Sequence, residues 1–158
     1  MAVAREIALR LLTNRDHSRH ELDDKLAARD VPDEVRSGLL DRLEEVGLVN
    51  DASFAEQWTR ARRSSRKLSR GAVRRELQTK GVDPDLIAEA LEPIEHDDEV
   101  ALATELAAKK WRQVHALPRE VAYRRMAGAL ARKGYAPGVV AQVVREVMGT
   151  DPDDYGVV

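Results

Sequence analysis

Three stretches of this chain repeat one pattern of apolar, basic and helix-breaking residues. The first runs from Ser18 and Arg19 through Leu22 and Leu26 to Arg29, Asp30, Val31 and Pro32, then Val35, Leu39 and Leu40. It returns 51 positions later as Ser69, Arg70, Val73, Leu77, Lys80, Gly81, Val82, Pro84, Leu86, Ile87 and Leu91. After a further 53 positions it reads Met126, Leu130, Lys133, Gly134, Tyr135, Pro137, Val139, Val140 and Val144. A period of about 50 residues marks one supersecondary unit that buries its apolar face by stacking on copies of itself. Stacked units present extended binding surfaces rather than enclosed catalytic pockets.

The local signals within each unit are helical. Ile7, Leu11 and Leu12 are spaced for a helix over residues 2–14, with Ala4 and Ala8 on the same side. Ser18 and Glu21 form a capping box that opens a second helix. Pro32 and Asp33 start a third, with Val35, Leu39, Leu40, Leu43 and Val46 facing inward and Gly47 as a left-handed terminator onto which Leu48 folds back. In the second unit, Asp51 or Ser53 caps the stripe Phe54, Ala55, Trp58 and Ala61. Ser69 caps the middle helix, Gly81 ends it, and Asp83 with Pro84 starts the last. The third unit opens on Asp97, Asp98 and Glu99, which suit the positive end of a helix dipole. Val100, Ala103, Leu106, Ala107 and Trp111 follow. Pro118 begins its middle helix, Gly134 ends it and Pro137 begins the last. Val139 to Val147 could also be a buried strand, because valine is a poor helix former, but the repeat register favours a helix. The expected fold is therefore all-α: three tandem three-helix repeats in an elongated, curved stack. They span residues 1–50, 51–96 and 97–149, with a flexible tail over 150–158.

Composition narrows the function. Aromatic residues are only 4% of the chain, so the core rests on Leu, Val and Ala, and no cysteine is present for disulfides or thiolate metal sites. The sequence shows no nucleophile with a credible base, no glycine-rich phosphate loop and no paired carboxylates on an apolar face. His17 and His20 lack a third metal ligand and read as capping or surface residues, as do His96 and His115. The expectations are no enzyme, no cofactor, no metal and no membrane span, and the absence of cysteine fits a reducing cytoplasm.

The charge pattern is the functional signal. The net charge is only −2, yet the signs are segregated. Residues 60–80 hold nine bases (Arg60, Arg62, Arg63, Arg66, Lys67, Arg70, Arg74, Arg75 and Lys80) against the single acid Glu76. Residues 109–133 hold eight (Lys109, Lys110, Arg112, Arg119, Arg124, Arg125, Arg132 and Lys133) against Glu120. Residues 83–99 hold eight acids and no Lys or Arg, and residues 16–51 hold eleven acids and five bases. Both basic runs occupy the end of a first helix, the link and the middle helix, so stacking would merge them into one stripe. A solvated face is the plain alternative, but such faces usually mix signs to gain ion pairs. Here Arg62 with Arg66, and Arg70 with Arg74, set like charges four residues apart. The stripe suits an anionic polymer. Base-specific groove reading is disfavoured, because the last helices of the first two units are acidic. Stacking on single strands is disfavoured too, because Phe54, Trp58 and Trp111 fall on core stripes.

These residues resemble the RecX family, regulators of the bacterial recombinase RecA. The likeness lies in Ala8 to Leu12, Arg15 to Leu22, Lys25-Leu26, Gly47 to Asp51, Phe54-Ala55, Trp58, Arg62, Leu68-Ser69, Glu76-Leu77 and Lys80 to Val82. The third unit contributes Leu130, Arg132 to Tyr135 and Val140, so the resemblance spans residues 4–148. Two departures stand out. Asp30 replaces a usual glycine, so the first middle helix should end without a left-handed turn, and Met126 replaces a leucine. The resemblance implies a non-catalytic, monomeric cytoplasmic protein of DNA repair, homologous recombination and the SOS response. It implies binding to the RecA filament on single- or double-stranded DNA, and inhibition of filament growth, ATPase, strand exchange and co-protease activity, although the family includes members that promote recombination. An autonomous, sequence-nonspecific DNA-binding protein is the competing reading.

Overall fold

The computed structural model describes residues 2–150, and these form nine α-helices and no strand. The helices are α1 (Ala2–Asn14), α2 (Arg19–Ala27), α3 (Asp33–Glu45), α4 (Asp51–Arg66), α5 (Arg70–Thr79), α6 (Pro84–Leu91), α7 (His96–Val114), α8 (Arg119–Arg132) and α9 (Pro137–Met148). The fold is all-α and built of tandem three-helix repeats. Residues 151–158 of the expected tail lie outside the described residues.

The middle helix of each repeat closes in the same way. After α2, the amide of Val31 donates to the Leu26 carbonyl at 3.1 Å; after α5, Val82 donates to Leu77 at 3.2 Å; after α8, Tyr135 donates to Leu130 at 3.3 Å. Each closure needs a left-handed residue just past the helix, which caps the last carbonyls. Gly81 (φ 72°) and Gly134 (φ 93°) supply it, and so does Asp30 (φ 62°). Asp30 therefore corrects the expectation drawn from the missing glycine. Aspartate is one of the few L-residues that tolerate this region, so the turn survives the substitution. Gly47 (φ 80°) makes an equivalent stop after α3.

The apolar faces are buried largely as their spacing dictates. One core gathers Ala4, Ala8, Leu22, Leu26, Leu39, Leu40, Leu43 and Val49 from the first repeat. Another gathers Ala103, Ala107, Trp111, Met126, Leu130 and Tyr135 with Val139, Val140, Val143, Val144 and Val147. Burying each valine contributes about 1.5–3 kcal/mol, which offsets the weak helix propensity of α9. Two inward assignments are corrected: Val46 is 58% exposed and Ala61 is exposed. Leu48 folds back as expected, its amide donating to the Leu43 carbonyl at 2.9 Å, but its side chain is 50% exposed while Val49 is buried. The turn at Gly47 carries the chain past Leu48, so Val49 takes the inward position. The cap of α4 is also neither Asp51 nor Ser53. The Asn50 side chain accepts the Ser53 amide at 3.1 Å, and Asp51 instead accepts the Arg19 amide at 2.9 Å.

By its contacts the chain forms two compact units. One comprises the residues up to Thr59 with Arg75–Leu91; the other comprises Arg60–Arg74 with the residues from Glu92 onward. Both α4 and α5 contribute to each unit, so these divisions do not follow the sequence repeat. The two units differ sharply in charge. Among residues 2–150, the first carries ten bases and seventeen acids, whereas the second carries sixteen bases and eight acids.

Candidate functional site

Helix packing decides which cations are available to a partner. On α8, Ala122, Met126 and Leu130 are buried, which leaves Arg119, Arg124, Arg125 and Arg132 exposed. Arg125 and Arg132 are seven residues apart and share one helix face. On α7, burial of Ala103, Ala107 and Trp111 leaves Lys109 and Arg112 exposed and Lys110 half-buried. Arg60 and Arg66 are exposed on the second half of α4. Fifteen of the seventeen bases in the two runs belong to the second unit; Arg75 and Lys80 belong to the first.

Not all of the seventeen are held for a partner. Arg63 and Glu99 form a mostly buried ion pair at 2.5 Å. Arg63 also donates to the Leu68 carbonyl at 3.2 Å, and Glu99 accepts the Arg70 amide at 3.0 Å. Lys67 pairs with Glu105 at 3.3 Å. Its backbone is left-handed at φ 56°, and its carbonyl accepts the Tyr135 hydroxyl at 2.6 Å. Burial pushes the Tyr135 phenol well above its ordinary range, and the nearby Glu99 adds to the effect. These contacts join the end of α4 and the start of α5 to α7 and the turn after α8. Another link is the Ser69 amide, which donates to the Lys133 carbonyl at 3.0 Å.

Lys80 serves the first unit in a comparable way. Its ammonium pairs with Glu21 at 2.9 Å and sits 4.8 Å from the centre of the Trp58 ring. Its carbonyl accepts the Ser18 hydroxyl at 2.6 Å. Trp58 stacks on Phe54 at 5.6 Å and donates to Glu76 at 3.0 Å. Glu21 completes the expected capping box on Ser18 and is also held by Arg15 at 2.7 Å. Burial alone would raise the Glu21 carboxyl, but hydrogen bonds from Arg15, Lys80 and the Ser18 amide outweigh it and hold the group at about 2. His17 is buried, not a surface residue, with Nδ1 2.9 Å from the Arg15 carbonyl oxygen. Burial lowers its pKa.

The cationic surface therefore consists chiefly of Arg60, Arg66, Lys109, Arg112, Arg119, Arg124, Arg125 and Arg132, the exposed members in the second unit. Arg62, Arg70, Arg74, Lys110 and Lys133 are half-buried beside them in sequence. Tyr123 is 40% exposed on α8, one turn from Arg119 and next to Arg124. It offers an aromatic face that attention to Phe54, Trp58 and Trp111 alone passes over; its sign in the sequence is an aromatic residue off the apolar stripe. Among the described residues, no cluster of His, Cys, Asp and Glu is arranged to hold a metal ion, and no helix is long and apolar enough to cross a membrane.

Repeated three-helix modules, with cations concentrated on the exposed helix faces of one unit, define a class of all-α binding proteins. The comparisons narrow that class. Profiles of the first, second and third RecX three-helix domains match residues 4–43, 50–91 and 97–144, in chain order. The chain is 43% identical over 151 residues to the regulatory protein RecX of Streptomyces lividans, covering 96% of this chain and 80% of that one. It is 43% identical over 143 residues to the regulatory protein RecX of Mycobacterium avium, covering 89% and 82%. The crystal structure of RecX from Lactobacillus salivarius shares the fold with a TM-score of 0.80 at 21% identity, covering 94% of this chain and 97% of that one. The chain belongs to the RecX family of regulatory proteins.

Proposed function

We propose that this chain is a non-catalytic regulator of the RecA recombinase. It binds recombinase filaments on DNA and limits their growth, and with it ATPase, strand exchange and co-protease activity. The observation that carries this reading is the concentration of positive charge: sixteen bases against eight acids among the described residues of one compact unit. Such a surface is attracted to a phosphate polymer and orders itself along it through many weak contacts. Exposed Arg and Lys side chains supply the phosphate contacts, and Tyr123 supplies a stacking face for an unpaired base. The protein acts as a cytoplasmic monomer.

The test is the single-strand-dependent ATPase of the cognate recombinase, measured with and without this protein, together with co-sedimentation of the two on DNA. Concentration-dependent inhibition and co-sedimentation are expected. An unchanged ATPase rate at several-fold molar excess overturns the proposal. The strongly basic unit also favours a second reading, autonomous nonspecific DNA binding. That reading requires equal affinity for naked strand and for filament at one salt concentration, whereas filament recognition requires a preference for the filament.

A further inference from the structure

Helices α1 and α3 leave between them an apolar groove, floored by the core residues Leu39 and Leu43, that the cationic surface does not use. Leu9, Leu39 and Leu43 line it, along with the exposed Val46 and Leu48, and it holds about 460 Å³. Val46 and Leu48 are two of only five large hydrophobic residues exposed among the described residues. Gly38 widens the groove in the middle of α3. A Cβ there would meet nothing within 4 Å, so packing does not require the glycine, and helix propensity opposes it.

The remaining lining is Arg5 and Arg42, and no carboxylate joins them. Yet the surrounding unit has seventeen acids to ten bases among its described residues. Its arginines Arg10, Arg15, Arg19 and Arg36 are each paired with a nearby carboxylate. Arg5 and Arg42 have no ion-pair partner among the described residues. An apolar trough edged by two uncommitted guanidinium groups complements a segment with aliphatic side chains on one face and carboxylates beside them.

We infer that the α1–α3 groove is a protein-docking site for an acidic, aliphatic-faced segment of the recombinase. This rests on the proposed function above, and it divides the labour: the basic unit meets phosphate, and the acidic unit meets protein. The segment lays its apolar side chains over Leu9, Val46 and Leu48 and directs its carboxylates to Arg5 and Arg42.

The test measures two affinities for each variant: for purified recombinase without DNA, and for a naked single-stranded oligonucleotide. The variants are Val46→Asp with Leu48→Asp, Arg5→Glu with Arg42→Glu, and Gly38→Leu, which fills the groove without adding charge. Each should weaken recombinase binding about tenfold or more, with oligonucleotide affinity and helical content unchanged. Gly38→Leu keeps the test open if the aspartate pair disturbs folding. Recombinase binding at wild-type strength in all three variants overturns the groove while leaving the proposed function intact. An equal loss of oligonucleotide affinity overturns it as a protein-specific site. Dimerisation of the wild type that the aspartate pair abolishes, with recombinase affinity unchanged, overturns it in favour of a second copy of this chain. Failure of the wild type itself to bind recombinase removes the proposed function and the groove together.

Discussion

Replacing Glu21 by glutamine removes one negative charge and turns the oxygen that accepts Arg15 and Lys80 into a donor. The amide keeps the volume of the side chain and can still accept the Ser18 amide proton, now at 3.1 Å. It cannot compensate Arg15 at 2.7 Å and Lys80 at 2.9 Å. The Glu21 side chain is only 10% exposed, although Arg15 is 43% exposed, so water screens the contact only in part. Its carboxyl is held at about 2, against an ordinary value of 4.5. By linkage, that difference is worth about 3 kcal/mol of stability at neutral pH. The sign follows from the direction of the shift. As pH falls, the unfolded chain takes up the proton first, so the stabilisation is complete above about pH 5 and is lost progressively toward pH 2. Glu21→Gln should cost about 2–3 kcal/mol at pH 7, or about 5–10 °C in Tm. By pH 3 the gap between the two proteins should have shrunk to less than half of its value at pH 7, and it should close only near pH 2. Urea denaturation followed by circular dichroism at pH 7, 5, 4 and 3 measures this. Two parallel pH profiles, or equal stability at pH 7, would show that Arg15 and Lys80 do not stabilise the Glu21 carboxylate.

Arg63→Gln leaves the mostly buried Glu99 without its counter-charge and should cost about 2–4 kcal/mol in denaturant titration. Arg124→Glu with Arg125→Glu should change stability by less than about 0.5 kcal/mol. The same pair should flatten the log–log salt dependence of oligonucleotide binding by about 0.7 per lost phosphate contact. Gly81→Ala meets two obstacles, the φ of 72° and a new Cβ 2.3 Å from the His20 ring. It should cost about 1–3 kcal/mol, and thermal melting within error of wild type would contradict this. Leu77→Ala should cost about 2–5 kcal/mol because the residue is wholly buried, whereas Val46→Ala should be near neutral in the same melting assay.

The helices were legible because their punctuation is local. Ser18 with Glu21, Pro84, Gly134 and Pro137 each act within one turn of chain, so spacing alone places them. The two kinds of misreading have different causes. Val46 continues the inward spacing of α3, but a helix stripe says nothing about where the core ends, and the turn at Gly47 ends it. Asp30 shows that a left-handed position need not be glycine when a short polar side chain tolerates that backbone. The site was legible as composition but not as commitment. Arg63, Lys67 and Lys80 look like their neighbours in sequence, yet their partners Glu99, Glu105 and Glu21 lie 36, 38 and 59 positions away. No local pattern distinguishes a cation that ties helices together from one that faces solvent. The α1–α3 groove was hidden for a related reason, since its lining residues read as ordinary core and ordinary charge.

The mismatch between repeat and compact unit bears on how this protein can be cut. A fragment ending near residue 50 would keep the first three helices but lose Lys80, and with it both the counter-ion of Glu21 and the carbonyl that receives the Ser18 hydroxyl. A fragment starting near residue 97 would lose Arg63 and strand Glu99. Limited proteolysis and hydrogen exchange should therefore reveal protected blocks whose borders fall inside α4 and α5. A one-repeat deletion made for domain mapping would remove pieces of both blocks, and its loss of activity would say little about which repeat touches what.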